Sequence, residues 1–277
     1  MEFLNIPYDI TLTERDPLRE FDLYLPLDAA NQLPSPLICF AHGGAWRAED
    51  KTDHKLLARK LAASTRYPVA IPNYRLTPRE PPGDNHFKHP GHAEDLLSFL
   101  SFLTSWQGPS GIGQLYDPHT LYLMGHSCSA HMLTSIFLDS SSITPTLTPP
   151  TSLIQAVKGI IVSEGIYDLE ILLSDFPQYQ GWFIGPTFGR NAAYASFSTT
   201  RFSLRNPDIR WLVIHSKGDT LVNFAQSEAI LNHLIKLNGE DAKHRVNRSM
   251  GILDGEHNDI LVDDDYVKLA VNFILAE

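Results

Sequence analysis

The sequence predicts an α/β protein with a mostly parallel, twisted sheet and helices on both of its faces. Short apolar runs recur along the chain with amphipathic segments between them, which is typical of strands that alternate with helices. The runs Leu37–Phe40 and Leu121–Met124 are continuously apolar, as expected of parallel strands that are buried on both faces. The 277 residues allow one large core, so we predict a single domain over residues 1–277.

The individual elements are predicted in chain order from hydrophobic periodicity. First, Tyr8–Thr13 and Phe21–Leu25 alternate polar with apolar residues around the charged turn Glu14–Arg19, which predicts an antiparallel hairpin at the edge of the sheet. The predicted parallel strands are Leu37–Phe40, Val69–Ile71, Leu121–Met124, Gly159–Ser163, Trp211–Ser216 and Arg248–Leu253. The predicted helices are Lys55–Ser64, Ala93–Ser105, Ser129–Leu138, Phe224–Leu237 and Asp264–Leu275.

Two segments interrupt this rhythm. Ser140–Ser152 is rich in Ser, Thr and Pro and is predicted to be a surface loop. In Phe176–Phe202, eight of twenty-seven residues are aromatic, about three times the 10% of the whole chain. An aromatic-rich insertion after a strand is a candidate lid over a pocket, and we predict such a lid at approximately residues 168–202. The alternative is a small hydrophobic cluster under a long loop.

Composition and charge exclude several classes of function. The chain is 43% hydrophobic and 19% charged, with a formal net charge of −10 at pH 7, so we expect no binding to nucleic acid or to anionic membranes. Met1–Ile10 lacks the pattern of a signal peptide, no apolar run is long enough for a membrane span, and the two cysteines make no disulfide framework. We expect a cytoplasmic protein that acts on a small molecule without a cofactor. The oligomeric state is left open, with a homodimer as one option.

Gly125-His126-Ser127-Cys128-Ser129 lies between a predicted strand and a predicted helix. This placement is typical of a nucleophile elbow, in which small residues two positions before and after the serine permit a sharp turn that exposes its hydroxyl. The usual motif ends in glycine, so Ser129 is a departure from it. We predict that Ser127 is the catalytic nucleophile.

A serine nucleophile needs a base that takes its proton and an acid that orients the base. Asp219 and His257 each follow a predicted strand, and the successive spacings from Ser127 are 92 and 38 residues. Loops after strand ends gather the site residues of such a sheet, and the order Ser, Asp, His is the one this arrangement requires. We predict a triad of these three residues, with Asp168 as the rival acid and Asp259 as a weaker rival.

Acyl transfer also needs donors that face the oxygen on which negative charge develops. His42-Gly43-Gly44-Ala45-Trp46 follows the strand Leu37–Phe40, and its two glycines allow the backbone to approach a substrate. We predict an oxyanion hole formed by the amides of Gly43, Gly44 and Cys128. The alternative is an ordinary glycine-rich turn.

The segment His42–Trp46 matches an H-G-G-x-W motif, and three further segments carry the same likeness: Gly165-Ile166-Tyr167-Asp168-Leu169, Phe176-Pro177-Gln178-Tyr179 and His257-Asn258-Asp259. On these motifs the chain resembles the kynurenine formamidases, or arylformamidases, of the α/β-hydrolase superfamily, from about Leu37 to the C-terminus. The H-G-G-x-W motif also occurs in related esterases. The resemblance implies the α/β-hydrolase fold.

The resemblance further implies a reaction. Ser127 would attack the formyl carbon of N-formyl-L-kynurenine, His257 would move the proton to the aniline nitrogen, and water would release formate from a formyl-enzyme. The acyl group is small and the leaving group is aromatic. The implied pocket residues are Trp46, Tyr167, Trp182 and Phe183.

Three rival functions remain. A carboxylesterase for short acyl esters would use the same residues, because this machinery does not specify the leaving group. A non-catalytic relative that binds small molecules or proteins would be expected to lack a triad member. Metal-dependent hydrolysis is suggested by His86, His89 and His92, with Asp84 and Asp95 nearby. The Pro-Gly pair before the last histidine breaks the helix that would align these side chains, so we predict no metal site.

Overall fold

The computed structural model describes residues 1–276 except 10, 12, 28–33, 81–82, 84 and 110–111. Its strands are β1 (Glu2–Pro7), β2 (Glu20–Tyr24), β3 (Leu37–Ala41), β4 (Val69–Pro72), β5 (Leu121–His126), β6 (Leu138–Asp139), β7 (Val157–Ser163), β8 (Ser203–Leu204), β9 (Arg210–His215) and β10 (Val246–Met250). Its helices are α1 (Lys55–Thr65), α2 (Gly91–Leu103), α3 (Cys128–Phe137), α4 (Thr151–Ala156), α5 (Leu169–Asp175), α6 (Gly185–Phe188), α7 (Phe224–Asn238), α8 (Ala242–Arg245) and α9 (Asp264–Leu275).

Eight of these strands form one mixed sheet in the order β1-β2-β4-β3-β5-β7-β9-β10. The neighbouring strands β4, β3, β5, β7, β9 and β10 are all parallel to one another. Strand β2 runs antiparallel to β4, and β1 runs antiparallel to β2. The predicted parallel sheet with an antiparallel N-terminal edge is therefore confirmed. Strands β6 and β8 pair separately, and periodicity does not reveal them because each has two residues.

Helices cover both faces of the sheet, as predicted. On β3, Leu37 and Cys39 belong to the hydrophobic cluster on the side of α2, α3 and α7, whereas Ile38 and Phe40 belong to the cluster on the side of α1 and α9. Successive side chains of a strand point to opposite faces, so a strand covered on both sides is apolar throughout. Burying each such side chain contributes about 1.5–3 kcal/mol, which explains why the apolar runs located these strands.

The first strand was predicted too late in the chain. Strand β1 is Glu2–Pro7 rather than Tyr8–Thr13; within that segment residues 8, 9, 11 and 13 lie outside the sheet, and residues 10 and 12 lie outside the described residues. The pairing of β1 with β2 is irregular between Phe3 and Ile6, where Asn5 has φ +60°. This irregularity breaks the period-two pattern on which the prediction depended.

Two other boundaries differ from the predictions. The predicted loop Ser140–Ser152 is not wholly a surface loop, since Leu147 is completely buried and α4 begins at Thr151. The predicted strand Arg248–Leu253 ends at Met250 as β10. The remaining predicted strands and helices lie within two residues of the observed ones.

The carboxyl ends of β3, β5, β7, β9 and β10 lie along one edge of the sheet, because these strands are parallel neighbours. Loops that follow parallel strands meet at such an edge, where open α/β sheets bind their ligands. Among the described helices, none has the length and apolar character needed to cross a membrane.

Candidate active site

Ser127 lies in the turn between β5 and α3. Its backbone has φ +56° and ψ −122°, a conformation that costs a non-glycine residue about 1–3 kcal/mol. The amide of Ser127 donates a hydrogen bond to the carbonyl of Ser163 on β7, at 2.9 Å, which holds the turn against the neighbouring strand. The chain therefore makes a sharp strand–turn–helix with the serine at its apex.

Ser129, which replaces the usual glycine of the elbow motif, is part of the hydrogen bonding of this turn. Its buried Oγ accepts from the amide of His126 at 2.8 Å and donates to the carbonyl of Ala41 on β3 at 2.6 Å. The hydroxyl joins the elbow to the strand that carries the glycine-rich loop. The departure from the motif thus has a structural reason.

We expect Ser129→Gly to lower the free energy of unfolding by about 1–3 kcal/mol, because it leaves the buried amide of His126 without its partner. Urea denaturation measures this, with Ser105→Gly, at an exposed turn position after α2, as the control for added backbone freedom. Equal stability of the two variants would contradict the role given to the hydroxyl.

The loops after β9 and β10 bring Asp219 and His257 into contact. Nδ1 of His257 is 2.7 Å from Oδ2 of the completely buried Asp219 side chain. Oδ1 accepts from the amides of Leu221 and Val222, at 2.8 and 3.0 Å. Burial by itself raises the pKa of Asp219, but the hydrogen bond with His257, together with the adjacent Glu164 carboxyl group, holds that pKa well below its usual range. An ionised carboxylate therefore faces the imidazole.

Gly218 permits the close approach of these two loops. A Cβ at this position would lie 2.2 Å from the carbonyl oxygen of Asp254, in the loop after β10. Next to it, Oγ of Ser216 donates to the carbonyl of Gly255 at 2.6 Å. A larger residue than glycine would push the loop of Asp219 away from the loop of His257.

Ser127 and His257 lie at the same edge of the sheet. The ring of His126, the residue before the serine, has its centroid 4.7 Å from that of His257. In the described part of the chain no hydrogen bond joins the Ser127 hydroxyl to the His257 imidazole. Such bonds are often long in ligand-free enzymes and shorten when substrate binds. The structure thus places the three predicted catalytic residues at one edge of the sheet.

The two rival acids have other positions. Asp168 is the N-cap of α5, where its carboxylate accepts hydrogen bonds from the amides of Glu170 and Ile171 and from the hydroxyl of Thr200. Asp259 is exposed in the short helical turn after His257. Neither carboxylate is hydrogen-bonded to His257 among the described contacts.

The loop after β3 places its amides beside the serine. A Cβ at Gly43 would lie 3.1 Å from Cβ of Ser127. Among the described residues, the amides of Gly43 and Gly44 donate to no partner, and the amide of Cys128 is the first of α3, where helices leave their N–H groups free. Three unpaired donors near the serine are suited to stabilise a negatively charged oxygen.

This loop is anchored from within the protein. The Tyr74 hydroxyl lies 2.9 Å from the carbonyl of His42 and 2.8 Å from that of Gly43. The amide of Trp46 donates to Sγ of Cys128 at 3.2 Å, and burial raises the pKa of that thiol to about 12. The thiol therefore stays neutral and acts as an acceptor, and the loop conformation is fixed by buried contacts.

Three of the four predicted pocket residues are neighbours. The ring of Trp46 is completely buried, with its centroid 6.0 Å from that of Phe183 and 5.2 Å from that of Phe188. Trp182 is 54% exposed and lies 5.1 Å from Phe183. Tyr167 is buried elsewhere, and no described ring contact joins it to the other three. Two aromatic residues of the segment 168–202 thus pack against Trp46, while the role of this segment as a lid stays a prediction.

The histidines that suggested a metal site do not converge. Both ring nitrogens of His86 lie 2.7 Å from backbone carbonyls, and Nε2 of His92 is 2.9 Å from the hydroxyl of Thr77. Asp95 is paired with Arg75 at 2.6 Å, and Asp84 lies outside the described residues. The buried ring of His89 packs against Phe188, with centroids 4.7 Å apart.

A set of hydrogen-bonded polar residues, not predicted from the sequence, connects the loops of the site. Nε2 of His126 is 3.1 Å from Oδ1 of Asn258, whose amide donates to Glu49 at 3.4 Å. Glu49 also lies 3.0 Å from Nε2 of His54. Burial raises the pKa of Glu49, but the hydrogen bond with His54 and the electrostatic effects of His54, His42 and His126 together outweigh burial and bring that pKa to about 2. No sequence motif marks these residues, since they come from three separate segments of the chain.

Comparison with known proteins gives concordant matches. The family model described as BD-FAE matches residues 21–234. A kynurenine formamidase from Meyerozyma guilliermondii is 30% identical over 214 residues, which are 75% of this chain and 73% of the relative. The rice (Oryza sativa subsp. japonica) protein named "Probable isoprenylcysteine alpha-carbonyl methylesterase ICME" is 26% identical over 257 residues, which are 90% of this chain but 57% of the relative.

Among solved structures, esterase B from Lactobacillus rhamnosis superposes with a TM-score of 0.75 at 16% sequence identity, over 99% of this chain and 84% of that chain. At this identity the likeness shows the fold alone. The fold is that of the α/β-hydrolases.

Proposed function

The chain is a hydrolase that belongs to the BD-FAE family of α/β-hydrolases, and from this premise we propose that it is an arylformamidase that hydrolyses N-formyl-L-kynurenine to kynurenine and formate in tryptophan degradation. One observation carries the proposal: the strained Ser127 and the Asp219–His257 pair lie at one sheet edge. The 30% identity to a kynurenine formamidase supports the choice of substrate.

The proposed reaction begins at the serine. Oγ of Ser127 attacks the formyl carbon while Nε2 of His257 accepts the hydroxyl proton, and Asp219 stabilises the resulting imidazolium through Nδ1. The amides of Gly43 and Gly44, with that of Cys128, stabilise the oxyanion, a contribution of roughly 3 kcal/mol per donor.

The intermediate then breaks the C–N bond. His257 returns the proton to the aniline nitrogen, so kynurenine leaves as a neutral arylamine and Ser127 carries a formyl ester. Water, deprotonated by the same imidazole, attacks this ester, and formate and the free serine are formed.

A small acyl group agrees with the surroundings of the loop. Trp46 lies two residues after Gly44 and is completely buried against Phe183 and Phe188. A formyl group has only a hydrogen on its carbonyl carbon, so it needs little space beside this loop. The aromatic residues of segment 168–202 supply apolar surface for an aromatic leaving group.

The second candidate is a carboxylesterase. It is favoured by the rice methylesterase-named relative, whose match extends over 90% of this chain. An ester would be cleaved by the same steps, with His257 giving its proton to the ester oxygen so that an alcohol leaves in place of the arylamine. The residues described here serve both reactions equally.

Turnover of two substrates distinguishes the candidates. We expect the purified protein to hydrolyse N-formyl-L-kynurenine with a kcat/KM at least about tenfold above that for 4-nitrophenyl butyrate. A tenfold preference requires only about 1.4 kcal/mol of additional transition-state stabilisation, which contacts with the aromatic leaving group can supply. Ser127→Ala serves as the blank for both substrates. Preference for the ester would assign a carboxylesterase, and no Ser127-dependent turnover of either would favour a binding role.

A further inference from the structure

A buried carboxyl group lies directly behind Asp219. Glu164 follows the last residue of β7, and its side chain is completely inaccessible to solvent. Its backbone has φ +48°, which is unfavourable for a residue with a long side chain. Its amide donates to the carbonyl of Ile214 on β9 at 3.2 Å. The backbone of Glu164 is therefore held in an unfavourable conformation between β7 and β9.

The two oxygens of Glu164 have different surroundings. Oε1 accepts from the amide of Ser216 at 2.7 Å. Oε2 is 3.3 Å from Nε2 of His215, in a geometry that makes no hydrogen bond, and it has no partner among the described polar groups. The carboxyl groups of Glu164 and Asp219 and the His215 ring each present an atom within 4.8 Å of the others.

The titratable groups that face Glu164 are few. His215 on β9 and Asp219 in the following loop lie next to Glu164, and His257 lies on the far side of Asp219. The hydroxyl groups of Tyr167 and Tyr266 are the other titratable groups nearby. Burial lowers the pKa of His215, so that imidazole is neutral. No salt bridge of the described residues joins Glu164 to a lysine or arginine.

Two buried carboxyl groups this close together cannot both be ionised without a cation to balance them. Asp219 is the better site for the single charge, because it accepts from His257 and from the amides of Leu221 and Val222, whereas Glu164 accepts from one amide. Burial, together with the charge of Asp219, raises the pKa of Glu164 to about 10.

We propose that Glu164 is a positioning residue that stays protonated at neutral pH and donates a hydrogen bond from its carboxyl O–H to Asp219. The inference rests on the proposed catalytic role of Asp219. The donated bond satisfies the otherwise unpaired Oε2 and fixes the orientation of the Asp219 carboxylate. The His257 imidazole then faces a single negative charge, that of the Asp219 carboxylate, whose orientation is fixed by the hydrogen bond from Glu164.

Two substitutions separate a protonated from an ionised Glu164. Glu164→Gln keeps a neutral group that can donate to Asp219 and accept from Ser216, so kcat for 4-nitrophenyl acetate should stay within about threefold of the unmodified protein. Glu164→Leu has similar volume but no donor, and we expect kcat to fall roughly ten- to hundredfold. Equal losses in both variants, or greater loss in the glutamine variant, would overturn the proposal.

The pH profile of kcat/KM gives a readout that a purely structural role would not move. With a protonated Glu164, the glutamine variant has the same charge as the unmodified protein, so the acid-side midpoint should not shift. With an ionised Glu164, the substitution would remove a negative charge close to the imidazole, and the midpoint would move to lower pH. Such a shift would contradict the proposal.

A measurement without substrate keeps this inference separate from the proposed function. The Nδ1 proton of His257, observed by NMR, reports its hydrogen bond to Asp219 whether or not any substrate is turned over. We expect its resonance to be retained in Glu164→Gln and displaced or lost in Glu164→Leu. The same resonance in both variants would show that Glu164 does not position Asp219, even if formamidase activity were found.

Discussion

Ser127→Ala should lower kcat for the preferred substrate by roughly 10⁶-fold, as expected when a triad nucleophile is removed. No other described hydroxyl occupies the elbow between β5 and α3, where the strained backbone presents Oγ beside the amides of Gly43 and Cys128. His257→Ala should have a similar effect, because without the imidazole nothing accepts the serine proton. Turnover by purified variants measures both losses.

The matched control for this prediction is Ser135→Ala. Ser135 is buried two turns further along α3, so its loss tests what a missing serine in the same helix does to folding and activity. We expect this variant to retain most of its activity. Substantial hydrolysis by Ser127→Ala, with both variants folded by circular dichroism, would require a different nucleophile.

Asp219→Ala should lower kcat by roughly 10⁴-fold, the loss typical of a triad without its acid. The reason is the 2.7 Å contact with Nδ1 of His257, which holds the ring with Nε2 facing the serine and stabilises the imidazolium. The effect should appear mainly in kcat, because the carboxylate is buried behind the imidazole and acts in the transition state.

The rival acid supplies the comparison. Asp168→Ala removes the N-cap of α5 and should lower the free energy of unfolding by about 1 kcal/mol while leaving most of the turnover. Near-normal turnover in Asp219→Ala, or a larger catalytic loss in Asp168→Ala, would reverse the assignment of the orienting acid.

Elements whose periodicity is strong were predictable from local sequence. Helix α9 has the predicted bounds Asp264–Leu275, and β3 and β5 were found from continuous apolar runs, because a strand covered by helices on both faces has little choice of residue. Strand β1 was misplaced because the irregular pairing around Asn5 removes the alternation.

The candidate nucleophile, base and acid could also be proposed from sequence, since each follows a predicted strand and the order of the three along the chain is restrictive. The sequence predicted Asp219 as the acid but left Asp168 as its rival, because both follow strand ends in loops. Only the folded chain separates them: Asp168 caps a helix, and Gly218 lets the loop of Asp219 approach that of His257.

Local sequence therefore accounts for most strands and helices and for the candidate residues of the proposed triad, because backbone periodicity and turn chemistry act over a few neighbouring residues. The tertiary structure decides the partners that come from distant segments: the hydroxyl of Ser129 on the carbonyl of Ala41, and Glu164 behind Asp219. Such contacts have no signature in sequence, since a buried polar group is satisfied by whichever atom the packing of the sheet and its loops brings within reach.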